Sequence, residues 1–336
     1  MNQMLDSALK SVLKEIMHLI EDETINEIKV SQFSKGFGAI WVYRHGCWET
    51  AMNKRNTENL ILPNQVIDSI ISYMAGDSKK PSHEKSPILE CAIPVLGYRF
   101  TGIKQPASVD CSKFNIRKYS TRLYTFEEYV EQGLFVDEEV EVIRDWQKRD
   151  IFTVAIAGST NSGKTTFLNT YIDEKRKNKP NENWVVIEDS KDLNIRVGNV
   201  DRLLITNQID MDDLLKVTLR LTPDNCVVGE VRGKEASTAL ELAKIKSVCF
   251  TMHAKDIDQA LSRMERMILQ HPDINKVSRQ EIAENINAII SIQNVRYKRQ
   301  DDSGNVIDGY RREVTQIQEI MSYDDVHQMY SVRSIK

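Results

Sequence analysis

The chain has 336 residues, a length that predicts about two domains of roughly 150 residues each. Apolar residues make up 41% and charged residues 28%, which excludes disordered, collagen-like and disulfide-scaffold proteins. The 45 Lys and Arg residues against 49 Asp and Glu residues give a formal net charge of −4. This balance disfavours nucleic acid as the main partner and leaves room for a local basic patch.

The cysteines and the apolar runs indicate a cytosolic protein without a membrane span. The five cysteines are widely spaced and form no CxxC pair, as expected of reduced thiols. Residues 151–157, the longest apolar run near a strand, are interrupted by Thr153 and fall far short of the ~18 residues of a membrane span. The N-terminal segment MNQMLDSALK lacks the basic region and apolar stretch of an export signal.

Residues 1–119 predict an α+β unit with a small, mainly antiparallel sheet. Apolar residues at helical spacing predict an opening amphipathic helix over 5–20, and alternation of period two then predicts strands. A hairpin turn is expected at His45-Gly46, and a polar loop at 76–87. The remaining elements are expected as strands or apolar runs at 25–30, 39–44, 47–51, 88–96, 98–103 and 114–119, and as a helix at 66–74.

The second half of the chain predicts a parallel sheet. Thr125 followed by Glu128 predicts a capping box, Gly133 breaks that helix, and another helix carries Val140, Ile143 and Trp146. Near-continuous apolar strands then alternate with helices, as is typical of a parallel sheet covered on both faces. These strands are expected at 152–157, 184–188, 203–206, 226–230 and 248–253, and a hairpin with its turn at 301–309 follows.

The sharpest signal is the segment GSTNSGKT at 158–165, which satisfies GxxxxGK[ST] directly after an apolar strand. Backbone N–H groups of its small residues can surround phosphates, Lys164 can reach the β and γ phosphates, and the Thr165 hydroxyl can ligate Mg²⁺. A plain glycine-rich turn would not explain Lys-Thr at a helix start. The residues predicted to bind ATP here are Gly158, Ser159, Thr160, Asn161, Ser162, Gly163, Lys164, Thr165 and Thr166.

Acidic residues follow two of the later strands. Glu188 comes after WVVI and Glu230 after CVVG, so both are expected beyond the carboxyl ends of the sheet, where they can act on Mg²⁺ and the attacking water. The alternative for each is an acid that caps the next helix. His253, at the end of VCFTMH, lies where a γ-phosphate sensor would lie, or is a core or hinge residue. No [NT]KxD element, which would recognise guanine, follows the loop, and this disfavours a GTPase.

Four segments together, GSTNSGKTT, IEDSKDL, VVGEVRGKEA and TMHAKDIDQALSRMERM, resemble the Walker A loop, Asp box, Walker B segment and His box of the type II/type IV secretion ATPases. The stretch KFNIRKYSTRLYTFEEYVEQGLF resembles the conjugal-transfer ATPases of the TrbB kind. The resemblance implies a PAS-like α+β domain at 1–119, a linker at 120–135, and a RecA-like P-loop domain with a mainly parallel sheet at 136–336.

The resemblance also implies an activity and a setting. Members of the type II/type IV secretion ATPases are hexameric rings at the cytoplasmic face of the inner membrane, and they hydrolyse ATP with Mg²⁺ between their two domains. It implies that Glu230 acts on water or metal and Glu188 as general base, or the reverse, and that His253 senses the γ-phosphate. Arg99 and Arg117 match N-domain arginines that approach the phosphates, which suits the planar, permanently charged guanidinium; the alternative is a solvated strand arginine.

The implied function is an ATP-driven ring motor that powers assembly or substrate transfer in a conjugative or other type IV secretion apparatus. Two alternatives share the fold: a motor for pilus extension or retraction, and a nucleotide-gated assembly scaffold with negligible hydrolysis. Direct action on DNA is a further alternative that the charge disfavours.

The chain departs from the family pattern at three places. NTGHxGG is replaced by the shorter LAKIKSV at 242–248, RPDR by TPDN at 222–225, and two Walker A glycines by Ser159 and Asn161. Phosphate binding is expected to survive because both flanking glycines and Lys-Thr remain. The effect is expected on the rate of hydrolysis or on coupling between subunits.

Overall fold

A computed structural model describes residues 7–44, 47–83, 85–118, 122–196, 198–206, 208–300 and 306–336, with side chains for all of these except 299–300 and 306–309. The chain divides into two compact units. Unit 1 comprises Met1–Ser120 and Lys298–Tyr310, and unit 2 comprises Thr121–Tyr297 and Arg311–Lys336.

Unit 1 contains an antiparallel sheet with helices, as the sequence predicts. Its sheet has the strand order β3-β2-β1-β7-β6-β5, with β4 paired to β2. The apolar side of α3 packs into the core that lies against this sheet. The elements are α1 Ser7–Leu13, α2 Met17–Glu21, β1 Ile25–Ser34, β2 Phe37–Arg44, β3 Cys47–Thr50, β4 Ile61–Pro63, α3 Asn64–Ser78, β5 Ile88–Ala92, β6 Arg99–Ile103 and β7 Lys113–Arg117.

Two local predictions for unit 1 need correction. The single helix predicted over 5–20 is two short helices, and Leu13, Ile16 and Met17, which stand on either side of the break or within it, are all buried. The helix predicted at 66–74 runs on to Ser78, so the predicted loop begins later. Residues 1–6 and the turn at His45-Gly46 lie outside the described residues, although β2 and β3 pair antiparallel as a hairpin requires.

Unit 2 is built on a sheet of order β10-β9-β11-β12-β8-β13-β14-β15, parallel from β10 through β13. Its elements are α4 Phe126–Glu131, α5 Asp137–Lys148, β8 Val154–Gly158, α6 Lys164–Asn178, β9 Trp184–Glu188, β10 Val200–Leu204, α7 Met211–Thr218, a 3₁₀ turn Leu219–Leu221, β11 Asn225–Val228, α8 Glu235–Ala243, β12 Ser247–Met252, α9 Ile257–Ile268, α10 Arg279–Asn285, β13 Ala288–Gln300, β14 Val306–Asp324 and β15 Met329–Ser334. The end of β13 and the start of β14 belong to unit 1.

The sheet of unit 2 is covered on both faces. Along β8, Ala155 and Ala157 belong to the core that includes α7, α8 and α9, whereas Val154 and Ile156 belong to the core that includes α5 and α6. Successive side chains of a strand point to opposite faces, so a strand buried on both sides must be apolar throughout. This confirms the mixed α/β fold with a mainly parallel second sheet.

The stretch predicted as a linker, 120–135, contributes to the core of unit 2. The predicted capping box forms: Glu128 N–H donates to Thr125 Oγ1 at 3.2 Å, and Thr125 N–H donates to Glu128 Oε2 at 2.9 Å. Phe126 and Phe135 are buried against Phe167 of α6. The domain limits drawn from the sequence stay predictions.

The C-terminal hairpin is present as the neighbouring strands β13 and β14. Of the turn predicted at 301–309, residues 301–305 lie outside the described part, and β14 already begins at Val306. β15, which the sequence did not predict, pairs antiparallel with β14. Within the described residues, no helix is both long and apolar enough to cross a bilayer.

Candidate functional site

The GxxxxGK[ST] segment forms the connection between β8, which ends at Gly158, and α6, which begins at Lys164. Two of its residues have left-handed backbone conformations, Asn161 with φ 61° and Gly163 with φ 98°. β12 lies between β8 and β11, so the carboxyl ends of these three parallel strands meet at one edge. This edge, called the phosphate edge below, brings the loop together with the residues that follow β11 and β12.

Gly158 is required where β8 approaches β13. It pairs with Ile292, and a Cβ at this position would collide with the Ile292 carbonyl oxygen and lie 2.5 Å from Ser162 Oγ. The Ile292 carbonyl oxygen belongs to the backbone and cannot move aside without shifting β13. The glycine therefore sets the spacing between the loop and the neighbouring strand.

We expect Gly158→Ala to destabilise the protein by about 1–3 kcal/mol, the usual cost of overpacking. Gly76→Ala in α3 is the matched control, because a Cβ there meets no atom within 4 Å. It should stabilise by about 0.5–1 kcal/mol, since alanine favours the helix. Urea denaturation measures both changes, and equal effects of the two substitutions would contradict the packing argument.

Lys164 places an ammonium group at the phosphate edge. Its side chain is 7% exposed, and its ammonium donates to the carbonyl oxygens of Gly158 at 2.9 Å and Ser159 at 2.7 Å. The same Nζ lies 3.4 Å from Nδ1 of His253. A buried ammonium held by carbonyl oxygens at a helix start is available to phosphate oxygens, which are stronger acceptors.

His253 links the loop to the carboxylate that follows β11. Its Nδ1 lies 3.2 Å from the Gly158 carbonyl oxygen, and its Nε2 lies 3.0 Å from Oε1 of Glu230. Both ring nitrogens thus face oxygen atoms that fix the ring orientation. The structure brings together Lys164, His253 and Glu230, three of the predicted site residues.

Glu230 is ionised in this environment. Burial would raise its pKa, but contacts with His253 and with Arg232, whose Nη2 lies 2.7 Å from Oε2, lower the pKa to about 2. Arg232 also pairs with Asp189 through Nη1 at 2.9 Å. Both acidic residues line a cavity of about 250 Å³, together with Arg232.

The low pKa of Glu230 predicts a contribution to stability that depends on pH. The ordinary pKa of 4.5 is depressed to about 2 in the folded state, so the charged form stabilises the fold above pH 4.5 and this stabilisation is lost as the pH falls towards 2. We therefore expect the stability difference between the wild type and Glu230→Gln to shrink as the pH falls from 6 to 3. Urea unfolding at several pH values measures it, and a constant difference would contradict the assignment.

Glu188 lies at the same edge but is engaged by other groups. It is 2% exposed, its Oε1 accepts from Leu193 N–H at 2.7 Å, and its Oε2 accepts from Arg202 at 2.6 Å. Burial raises its pKa, against the lowering effect of Arg202. The side chain of Glu188 is enclosed by these groups, whereas that of Glu230 is 17% exposed and lines the cavity. The geometry therefore supports a role of Glu188 in holding the segment after β9 in place better than the predicted roles of metal ligand or general base.

The other predicted residues fall into two groups. Residues 158–166 lie together in the loop and the first turn of α6. Arg99 and Arg117 lie in unit 1, directly opposite each other on β6 and β7, and Arg117 Nε is 4.0 Å from Glu27. Their approach to a nucleotide stays a prediction.

Sequence reasoning missed several polar residues of the phosphate edge. Arg232 stands two residues after Glu230 in VGEVRG, a proximity that could have indicated the ion pair. Gln293 of β13 accepts from Ser159 N–H at 3.2 Å, and Asn294 donates to the Thr160 carbonyl at 3.5 Å. These two come from a strand far along the chain, and no local pattern marks them.

Comparisons with known proteins identify the family of the chain. A family model described as "Type II/IV secretion system protein" matches residues 75–331. The "Probable conjugal transfer protein TrbB" of Sinorhizobium fredii (strain NBRC 101917 / NGR234) is 30% identical over 228 residues, which are 67% of this chain and 69% of that protein.

Two solved structures share the fold at low sequence identity. The ATPase DotB of Yersinia pseudotuberculosis superposes with a TM-score of 0.60 at 16% identity, covering 92% of this chain and 80% of that one. The pilus retraction motor PilT, solved with bound ADP, superposes with a TM-score of 0.57 at 16% identity, covering 91% and 82%.

Proposed function

Because the chain belongs to the Type II/IV secretion system protein family, we propose that it binds ATP at the phosphate edge of unit 2 and hydrolyses it to ADP and phosphate. The observation that carries the proposal is the Lys164 ammonium, held at the loop carbonyls beside His253 and Glu230. The name of the TrbB relative supports a role in a conjugative or other type IV secretion apparatus.

The loop fits a polyphosphate. Lys164 would donate to the β and γ phosphate oxygens, and the N-terminus of the 15-residue helix α6 favours negative charge. The buried Ser162 hydroxyl has no hydrogen-bond partner in the described part of the chain. Such an unpaired group would gain a partner from a bound phosphate, which supports the site.

The residues also fit Mg²⁺, bound in the way that nucleotide sites bind it. The described residues contain no cluster of three or more His, Cys, Asp or Glu side chains able to hold a metal by themselves. Mg²⁺ prefers oxygen ligands and commonly uses few protein groups together with phosphate oxygens and water. The Thr165 hydroxyl and the Glu230 carboxylate would hold it, and it would supply charge neutralisation at the phosphates.

Glu230 suits the orientation of water better than its deprotonation. A carboxylate with a pKa of about 2 is a weak base at neutral pH, whereas it accepts hydrogen bonds strongly. We assign it the water or metal role. His253, between Lys164 and Glu230, would report the presence of the γ-phosphate by shifting with either neighbour.

The proposal includes a homo-oligomeric ring, probed most directly by the mass of the protein in solution. We expect a mass of six protomers, either for the protein alone or after addition of Mg²⁺ and a non-hydrolysable ATP analogue. We also propose that the ring binds its secretion apparatus at the inner face of the membrane. A mass of one protomer with and without the analogue would contradict the ring.

A further inference from the structure

Arg312 of β14 lies against the last glycine of the phosphate loop. A Cβ placed on Gly163 would lie 3.2 Å from Cδ and 3.3 Å from Nε of Arg312. The side chain thus runs directly past the backbone that precedes Lys164, at the start of α6. Only a glycine leaves room for this approach without a shift of the arginine.

The charge of Arg312 is not neutralised by a neighbouring acid in the described part of the chain. The residue is exposed, and none of the ion pairs among described side chains includes it. Arg311, next to it, pairs instead with Glu313 at 3.7 Å and lies 5.9 Å from the Tyr297 ring. Successive strand residues point to opposite faces, which explains why only one of the two arginines reaches the loop.

The sheet order places Arg312 on the side of the loop that is remote from Glu230. β8 is flanked by β12 and β11 on one side, where His253 and Glu230 follow, and by β13 and β14 on the other. A polyphosphate that follows the loop with its γ end beside Lys164 and Glu230 would extend its α end towards β13 and β14. An exposed guanidinium there faces the part of the nucleotide that ATP and ADP share.

We propose that Arg312 binds the α-phosphate of the nucleotide, an inference that rests on the nucleotide site proposed above. Its planar fork can donate two parallel hydrogen bonds to phosphate oxygens, and its charge persists at every physiological pH. Arg312 is therefore a binding residue that acts on ATP and ADP alike. Glu230, in contrast, acts at the reacting end.

The test is equilibrium titration of the full chain with Mg²⁺-ADP and with a non-hydrolysable ATP analogue. Arg312→Ala should weaken the binding of both nucleotides by about tenfold or more, the usual effect of losing a charge-assisted hydrogen bond to an anion. Arg312→Lys should recover only part of the affinity, because it keeps the charge and loses the fork. In steady-state hydrolysis, Arg312→Ala should raise KM much more than it lowers kcat.

Arg311→Ala is the matched control and should bind both nucleotides as the wild type does. Unchanged melting temperatures of the variants ensure that a loss of binding is not a loss of folding. Unchanged affinity in Arg312→Ala, or a loss confined to the ATP analogue, would overturn the assignment to the α-phosphate. The proposed function itself would fail separately, if Lys164→Ala bound ADP as tightly as the wild type.

Discussion

Lys164→Ala should abolish nucleotide binding in the micromolar range while the protein stays folded. The substitution removes the one ammonium that the loop carbonyls of Gly158 and Ser159 hold at the start of α6. Truncation of one partner of a buried charged pair costs about 2–5 kcal/mol, which raises the dissociation constant roughly 30-fold to 5,000-fold. Titration with Mg²⁺-ADP measures the loss.

Lys177→Ala is the matched control for this experiment. Lys177 lies on the same helix but near its other end, where it pairs with Asp173 and Glu174. Its loss should leave nucleotide affinity unchanged. If both variants bound ADP like the wild type, the phosphate edge would not be the nucleotide site.

Glu230→Gln should retain nucleotide binding and slow turnover by at least about tenfold, as expected for a group that orients the attacking water. Glutamine keeps the size of the side chain but removes the charge that His253 and Arg232 face. Binding should survive because Lys164 and the loop are untouched. Steady-state phosphate release together with nucleotide titration separates the two effects.

Glu241→Gln provides the control for the loss of a carboxylate. Glu241 lies on α8, is exposed and pairs with Lys244, away from the phosphate edge. The turnover of the Glu241→Gln variant should equal that of the wild type. An unchanged rate in Glu230→Gln would remove Glu230 from the proposed mechanism, and a parallel loss of binding would assign it to nucleotide affinity instead.

The phosphate loop could be predicted from sequence because its signal is local. GxxxxGK[ST] after an apolar strand specifies a strand, a turn and a helix within a dozen residues. As this pattern predicts, β8 ends at Gly158 and α6 begins at Lys164. The positions of His253 and Glu230 in the site could also be predicted from the sequence, because residues that follow parallel strands meet at one edge of the sheet.

The partners of Glu188 and of Gly163 could not be predicted in this way. Arg202 reaches Glu188 only because β10 pairs with β9 in parallel register, which places Leu204 beside Glu188. Arg312 reaches Gly163 because β14 lies two strands from β8. Both contacts depend on strand order, which no short segment of the sequence encodes.

The departure at 242–248 lies away from the phosphate edge. α8 ends at Ala243 and β12 begins at Ser247, whose hydroxyl donates to the Asp150 carbonyl and accepts from Phe152 N–H, just before β8. This is the amino end of the parallel strands, opposite the loop. The position supports the expectation that phosphate binding survives, while the expected effect on the hydrolysis rate or on coupling between subunits stays a prediction.

The most direct measurement of the central claim is steady-state phosphate release from Mg²⁺-ATP by the full chain, compared with Lys164→Ala under the same conditions. The account predicts a clear rate for the wild type and none above background for the variant. Equal rates in the two proteins would contradict hydrolysis at the phosphate edge and would favour a scaffold that binds nucleotide without turning it over.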